Sequence, residues 1–254
     1  MSQYYNPNRG SAYNYGGDKW KLSRSKIDLF LECRRCFYLD NKLGVKRPPG
    51  FPFALNSAVD ELLKKEFDIL RRTGETHELI DRYGVDARPV HHDELDVWRE
   101  NFQGVQHLHE STGFLVSGAI DDLWINSRGE YIVVDYKSTS KKEDITELNK
   151  DWQEGYKRQM EVYQWLLRGK GYPVSNKGYF VYCNGITETE KFDAKLEFKI
   201  TLIKHEGDDS WIEPTLIEIK KVLDSERIPP ADPECDFCAY RRTVEEKLKE
   251  KQDE

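Results

Sequence analysis

The stretch 117-SGAIDDLWINSRGEYIVVDYK-137 decides how the chain is read. Two apolar, β-branched runs flank Asn126-Ser127-Arg128-Gly129, a cluster with turn chemistry. The segment therefore predicts two strands, Gly118 to Ile125 and Glu130 to Lys137, joined as a hairpin. A three-residue loop with Gly129 in the left-handed region pairs Asn126 with Glu130. Counting back along that register places Asp121 directly opposite Asp135. Two carboxylates facing each other across a ladder repel, so stability alone does not account for them. A divalent cation between them turns the repulsion into binding. Lys137 shares a face with Asp135 because side chains alternate along a strand. Two acids and a lysine on one face, at the end of an apolar strand, point to metal-assisted hydrolysis.

The flanks supply helices for that hairpin. Asp151 to Arg168 is the longest predicted helix, with Trp152, Tyr156, Gln159, Met160, Tyr163 and Leu167 on one stripe. Upstream, Leu55 to Leu70 repeats apolar residues at Val59, Leu62, Leu63, Phe67 and Leu70. Shorter helices are expected around Glu78 to Tyr83 and Asp93 to Phe102, and strands at Val105 to His109, Tyr179 to Cys183 and Leu196 to Lys204. Trp211 to Leu223 reads as a further helix. Ser23 is placed to cap an early helix bearing Ile27, Phe30, Leu31, Tyr38 and Leu39, with Cys33 and Cys36 on one of its faces. Helix, meander and crossover helix together predict an α/β or α+β layer fold with a central mixed sheet. Residues 1–18 read as a disordered tail, 19–242 as a single domain and 243–254 as a charged tail.

The 254 residues are 38% hydrophobic and 33% charged, the balance of a globular protein with a core and a polar surface. No apolar run approaches a membrane span and the N-terminus is not a signal peptide, so no membrane partner is expected and the default location is cytoplasmic. The net charge of −7 gives no bulk attraction for nucleic acid. Any such contact must be local, and the basic set Lys19, Lys21, Arg24, Lys26, Arg34 and Arg35 is the candidate for phosphate. Four of the five cysteines form two C-x-x-C pairs, Cys33/Cys36 and Cys235/Cys238. In a reducing compartment that pattern favours a metal over disulfides. Cys183, within a predicted strand, reads as a core residue.

The order of these signatures resembles the RecB-like branch of the PD-(D/E)XK nucleases, in particular the CRISPR adaptation exonucleases and the AddB nuclease domain. The likeness runs from about Leu22 to Arg242 and implies a restriction-endonuclease-like core. It implies that Asp121, in the G-x-x-D motif Gly118 to Asp121, and Asp135, in the D-x-K motif Asp135 to Lys137, hold a catalytic Mg²⁺ or Mn²⁺. The backbone carbonyl of Tyr136 is implied as a further ligand, Lys137 as the residue that orients or deprotonates water, and Gln159 and Tyr163 as positioning groups. A histidine ligand expected on the early helix in a G-x-x-x-H pattern is replaced by Asp60, in Asn56 to Asp60. A carboxylate there is a hard ligand suited to either ion.

Iron–sulfur members of the branch provide one early and three late cysteines, whereas this chain provides two and two. Its four thiols are expected to staple the N- and C-terminal parts through a [4Fe-4S] cluster, with structural Zn²⁺ as the alternative. The resemblance implies a metal-dependent deoxyribonuclease acting on single-stranded DNA or DNA ends, within a DNA-processing complex. The alternative is a catalytically silent module that keeps the fold and binds nucleic acid or a partner.

Overall fold

The structure, a computed structural model, describes residues 10–50 and 54–252. In chain order the main elements begin with β1 (Leu22–Ser23), α1 (Arg24–Glu32), α2 (Arg34–Asn41), α3 (Ala54–Thr73) and α4 (Glu78–Arg82). Next come β2 (Arg88–Pro89), α5 (Leu95–Trp98), β3 (Val105–His109), β4 (Phe114–Gly118), β5 (Asp122–Ile125) and β6 (Tyr131–Thr139). The chain ends with α6 (Glu154–Gly169), β7 (Lys177–Gly185), β8 (Phe198–Glu206), α7 (Ile212–Asp224) and α8 (Asp236–Gln252). They fall into two compact units.

One unit comprises Pro52–His107 and Ser117–Asp209. Its five-stranded sheet has the order β2-β5-β6-β7-β8, antiparallel throughout except for the β6–β7 pair. A parallel pair needs a crossover, and α6 lies in the connection from β6 to β7. The β5–β6 turn closes as its chemistry dictates. Gly129 has φ +80°, and Asn126 N–H donates to Glu130 O at 3.1 Å. The Asn126 side-chain oxygen accepts from Arg128 N and Glu130 N at 3.0 and 2.9 Å.

Alternation along β6 then sorts the residues by face. Ile132, Val134 and Tyr136 join the core that α3 covers with Leu63 and Phe67. The Phe67 ring lies 5.4 Å from that of Trp124 and 5.8 Å from that of Tyr136. Fully burying such an aromatic ring contributes about 1.5–3 kcal/mol. Asp135 and Lys137 belong to the other face, where Gln159 of α6 meets Lys137. Cys183 is buried in β7, as expected of a core residue.

The expected strand from Gly118 to Ile125 is interrupted. β4 ends at Gly118 and β5 starts at Asp122, in a different sheet. Between them Ile120 N–H donates to Trp98 O at 3.1 Å rather than to a strand neighbour.

The second unit comprises Met1–Phe51, Leu108–Val116 and Ser210–Glu254. It holds β1 and the Phe114–Val116 part of β4. α7 turns Ile212, Leu216, Ile219 and Leu223 inward, all fully buried. Lys42 Nζ donates to Leu223 O (2.9 Å) and Ser225 O (2.8 Å), capping the negative C-terminus of α7 with a cation.

The sequence predicts one helix through Cys33 and Cys36; the structure has two. Cys33 is extended (φ −163°, ψ 106°), ending α1 and starting α2. Of the tail expected over residues 1–18, residues 1–9 lie outside those described. From Gly10 on the chain departs from that expectation. Ser11–Tyr13 form a 3₁₀ turn, Tyr15 N–H donates to Asn41 O at 2.7 Å, and Tyr15 OH donates to Asp224 at 2.7 Å.

Candidate active site and cysteine cluster

The hairpin brings Asp121 to the backbone of β6. The β5–β6 ladder starts at the Asp122–Val134 pair, and Asp121 stands one residue before it, outside the strand. The Asp121 Oδ2 accepts the Tyr136 backbone N–H at 2.9 Å, holding the side chain at the sheet's end. Asp135 is fully buried, and Lys137 Nζ donates to its Oδ2. The same ammonium donates to Gln159 Oε1 at 3.3 Å and lies 4.8 Å from the centre of the Tyr156 ring. A lysine ammonium only donates, which fixes the Gln159 amide, and its Nε2 donates to Tyr163 OH at 2.9 Å.

Gly118 explains how Tyr163 comes so near. A Cβ at position 118 would stand 2.6 Å from Tyr163 Cε1. The glycine of the G-x-x-D motif is thus needed for close approach rather than for an unusual backbone angle.

α3 contributes from the other side of the sheet. Asp60 and Lys64, four apart, lie on one helix face. Lys64 Nζ is 2.8 Å from Asp60 Oδ2 and 3.6 Å from Asp121 Oδ1. Burial, and after it the negative charge of Asp121, pushes the Asp60 carboxyl above its ordinary value, against the lowering charges of Lys64 and Lys137. Asp60 and Asp121 therefore share one electrostatic neighbourhood with Lys64 and Lys137, and Lys137 in turn holds Asp135. Lys64 is the residue that sequence reasoning missed; its signal is its position one helical turn beyond Asp60.

The second aspartate of Gly118-Ala119-Ile120-Asp121-Asp122 does something different. Asp122 is fully buried and pairs with Arg71 and with Arg99 (2.9 Å), whose side chains are 5% and 10% exposed. It also accepts from Tyr136 OH at 2.8 Å and Trp124 Nε1 at 3.1 Å. Burial, then the charge of Asp122, raises the Tyr136 phenol well above its usual range, so it remains a donor. Arg99 continues to Asp121, its Nε donating to the Asp121 carbonyl at 2.9 Å. Asp68 accepts from both guanidiniums at the rim. Alternation places Asp122 on the same apolar face as Trp124, and an acid there requires cationic partners.

In the second unit, Cys33, Cys36, Cys235 and Cys238 are all buried, with their sulfurs within 4.8 Å of one another. Burial opposes ionisation of Cys33, yet backbone N–H groups of Asp232 and Cys36 hold that thiol down to about 7. Burial pushes the Cys36 thiol up. Among the six basic residues singled out for phosphate, Arg24 pairs with Asp28 (2.6 Å), Arg34 with Glu218 (2.5 Å), and Arg35 donates to Pro229 O (2.9 Å). Lys26 donates to Lys21 O at 2.5 Å. A cavity of about 370 Å³, lined by Tyr83, Asp86, Arg128, Lys177 and Lys204 among others, shares no residue with the carboxylate site.

A model of the PD-(D/E)XK nuclease superfamily matches residues 52–243, and the chain belongs to that superfamily. Its members are typically nucleases that use divalent metals. The mixed sheet flanked by helices is consistent with a restriction-endonuclease-like fold. No curated protein matches the chain. Nine solved chains do, among them the crystal structure of SSO0001, 15% identical over 82% of this chain and 79% of that one, with a TM-score of 0.37. Among the described residues no helix is long and apolar enough to cross a membrane.

Proposed function

We propose that the chain is a divalent-metal-dependent DNA nuclease of the RecB-like branch, resembling the CRISPR adaptation exonucleases and the AddB nuclease domain. It would hydrolyse phosphodiesters in single-stranded DNA or at DNA ends, as part of a DNA-processing complex. The observation that carries the reading is that Lys137 acts on Asp60 beside Asp121 while also holding Asp135, and is tied to Gln159 and through it to Tyr163.

The donor set suits a hard cation. Burial, and after it the charge of Asp121, holds the Asp60 carboxyl above its ordinary pKa, and a divalent ion beside it would offset that repulsion. Asp60, Asp121, Asp135 and the Tyr136 carbonyl would hold Mg²⁺ or Mn²⁺. Such an ion lowers the pKa of a bound water and offsets charge on the phosphoryl oxygens. Lys137 would orient or deprotonate the attacking water, and Gln159, braced by Tyr163, holds the Lys137 ammonium in place.

The test is cleavage of end-labelled single- and double-stranded DNA with Mg²⁺ or Mn²⁺. Wild-type protein should cut, and Asp135→Ala and Lys137→Ala should not. Metal-dependent cutting by both variants would sink the assignment. The second reading, a silent binding module, is favoured by the ion pairs Lys137–Asp135 and Lys64–Asp60, in which lysines already occupy the carboxylates. It requires that Mn²⁺ produce no thermal shift in wild-type protein.

A further inference from the structure

The spacing of the four cysteine sulfurs carries information that the C-x-x-C pattern does not. Cys33 and Cys238 are 3.8 Å apart, Cys36 and Cys235 3.7 Å, and Cys36 and Cys238 3.6 Å, sulfur to sulfur. All four lie within 4.8 Å of one another. A single zinc ion bound tetrahedrally by thiolates at about 2.3 Å requires sulfur–sulfur edges of about 3.8 Å, from the geometry of a tetrahedron. The three short edges have that length.

A four-iron cluster makes a different demand. Each thiolate binds a separate iron from outside, so every sulfur–sulfur edge is lengthened by the distance from the cluster's centre to its irons. Edges all under 4.8 Å leave no space for four irons and four sulfides. The [4Fe-4S] group that the family resemblance implies therefore does not fit these residues.

We infer that Cys33, Cys36, Cys235 and Cys238 form a closed, mononuclear Zn²⁺ site of structural type. The two-plus-two pairing is that of tetrahedral Cys₄ zinc sites, in which each C-x-x-C supplies one edge. The extended Cys33 gives the first pair its geometry by ending α1 where the chain must turn. Zinc with four thiolates carries net negative charge, and one cation is placed to answer it. Arg47 Nη2 lies 3.4 Å from Cys235 Sγ, while its Nη1 is held by Glu32 at 2.8 Å and its guanidinium stacks 4.6 Å from the Phe237 ring centre. Arg47 is a positioning residue for the site, acting on the metal through Cys235. The inference is independent of the nuclease reading, since it shares no residue with the carboxylate site.

The experiment is anaerobic purification of the full chain, followed by metal and sulfide analysis and reconstitution of the stripped protein with Zn²⁺ or with iron and sulfide in competition. One zinc per chain, no inorganic sulfide and no visible absorption are expected. Replacing zinc with Co²⁺ should give the intense visible bands of tetrahedral cobalt thiolate. Iron with stoichiometric sulfide would overturn the inference, as would a single iron without sulfide or the absence of any bound metal. Since substituting a cysteine here removes a buried core residue, Arg47→Met serves as the second probe. Chelator competition should show metal retention weakened by about 10- to 100-fold; unchanged retention would overturn the role of Arg47.

Discussion

Adjacent aspartates 121 and 122 should fail in opposite ways when each is changed to asparagine. Asp122 is fully buried against Arg71 and Arg99, so Asp122→Asn removes the charge that both guanidiniums face and turns an amide N–H₂ toward them. Breaking a buried ion pair on one side costs about 3–5 kcal/mol. Asp68 still engages both arginines from a partly exposed position, which puts the loss at the lower end, about 3 kcal/mol. For a chain of this size each kcal/mol lowers Tm by about 2–4 °C, giving a drop of roughly 6–12 °C. Asp121→Asn keeps an oxygen for the Tyr136 N–H, and its side chain is 22% exposed, so the Tm should stay within about 2 °C. Cleavage should show the reverse ranking. Asp121→Asn abolishes it, while Asp122→Asn retains part of it when assayed well below its Tm. Differential scanning calorimetry and an end-labelled DNA assay on the same preparations decide the matter. A Tm for Asp122→Asn equal to that of Asp121→Asn would refute the assignment of Asp122 as the buried anchor.

Other expectations follow from the same geometry. Gly118→Ala forces a methyl against the Tyr163 ring, and overpacking of this kind costs about 1–3 kcal/mol; thermal melts should show the loss, and cleavage should fall as Gln159 loses its brace on Tyr163. The Asp60 carboxyl titrates above its unfolded value, so the stability it contributes is full below the unfolded pKa and is lost as pH rises through the raised folded one. In chelated buffer Asp60→Asn should therefore melt progressively higher than wild type across that window, and Mn²⁺ should close the gap by stabilising wild type alone; a pH-independent difference would count against it. Lys64→Met removes the ammonium between Asp60 and Asp121, so titration calorimetry should record tighter Mn²⁺ binding than in wild type.

The hairpin and its register were legible in the sequence because turn chemistry and strand alternation are local. Asn126 and Gly129 specify the loop, and counting from it pairs Asp122 with Val134 without reference to the rest of the chain. The stripe of α6 placed Gln159 and Tyr163 on one face for the same reason. What the tertiary structure decided is every relation between segments distant in sequence. Lys64 enters the site because α3 packs across β6, and Arg71 and Arg99 reach Asp122 from separate elements. The break at Cys33 also belongs here: helical periodicity runs through it, and only its convergence with Cys235 and Cys238, some two hundred residues on, gives an extended residue a purpose. Periodicity reports which face a side chain occupies; the distance between two faces is set by packing, and it is that distance which separates one tetrahedral ion from a cluster of four.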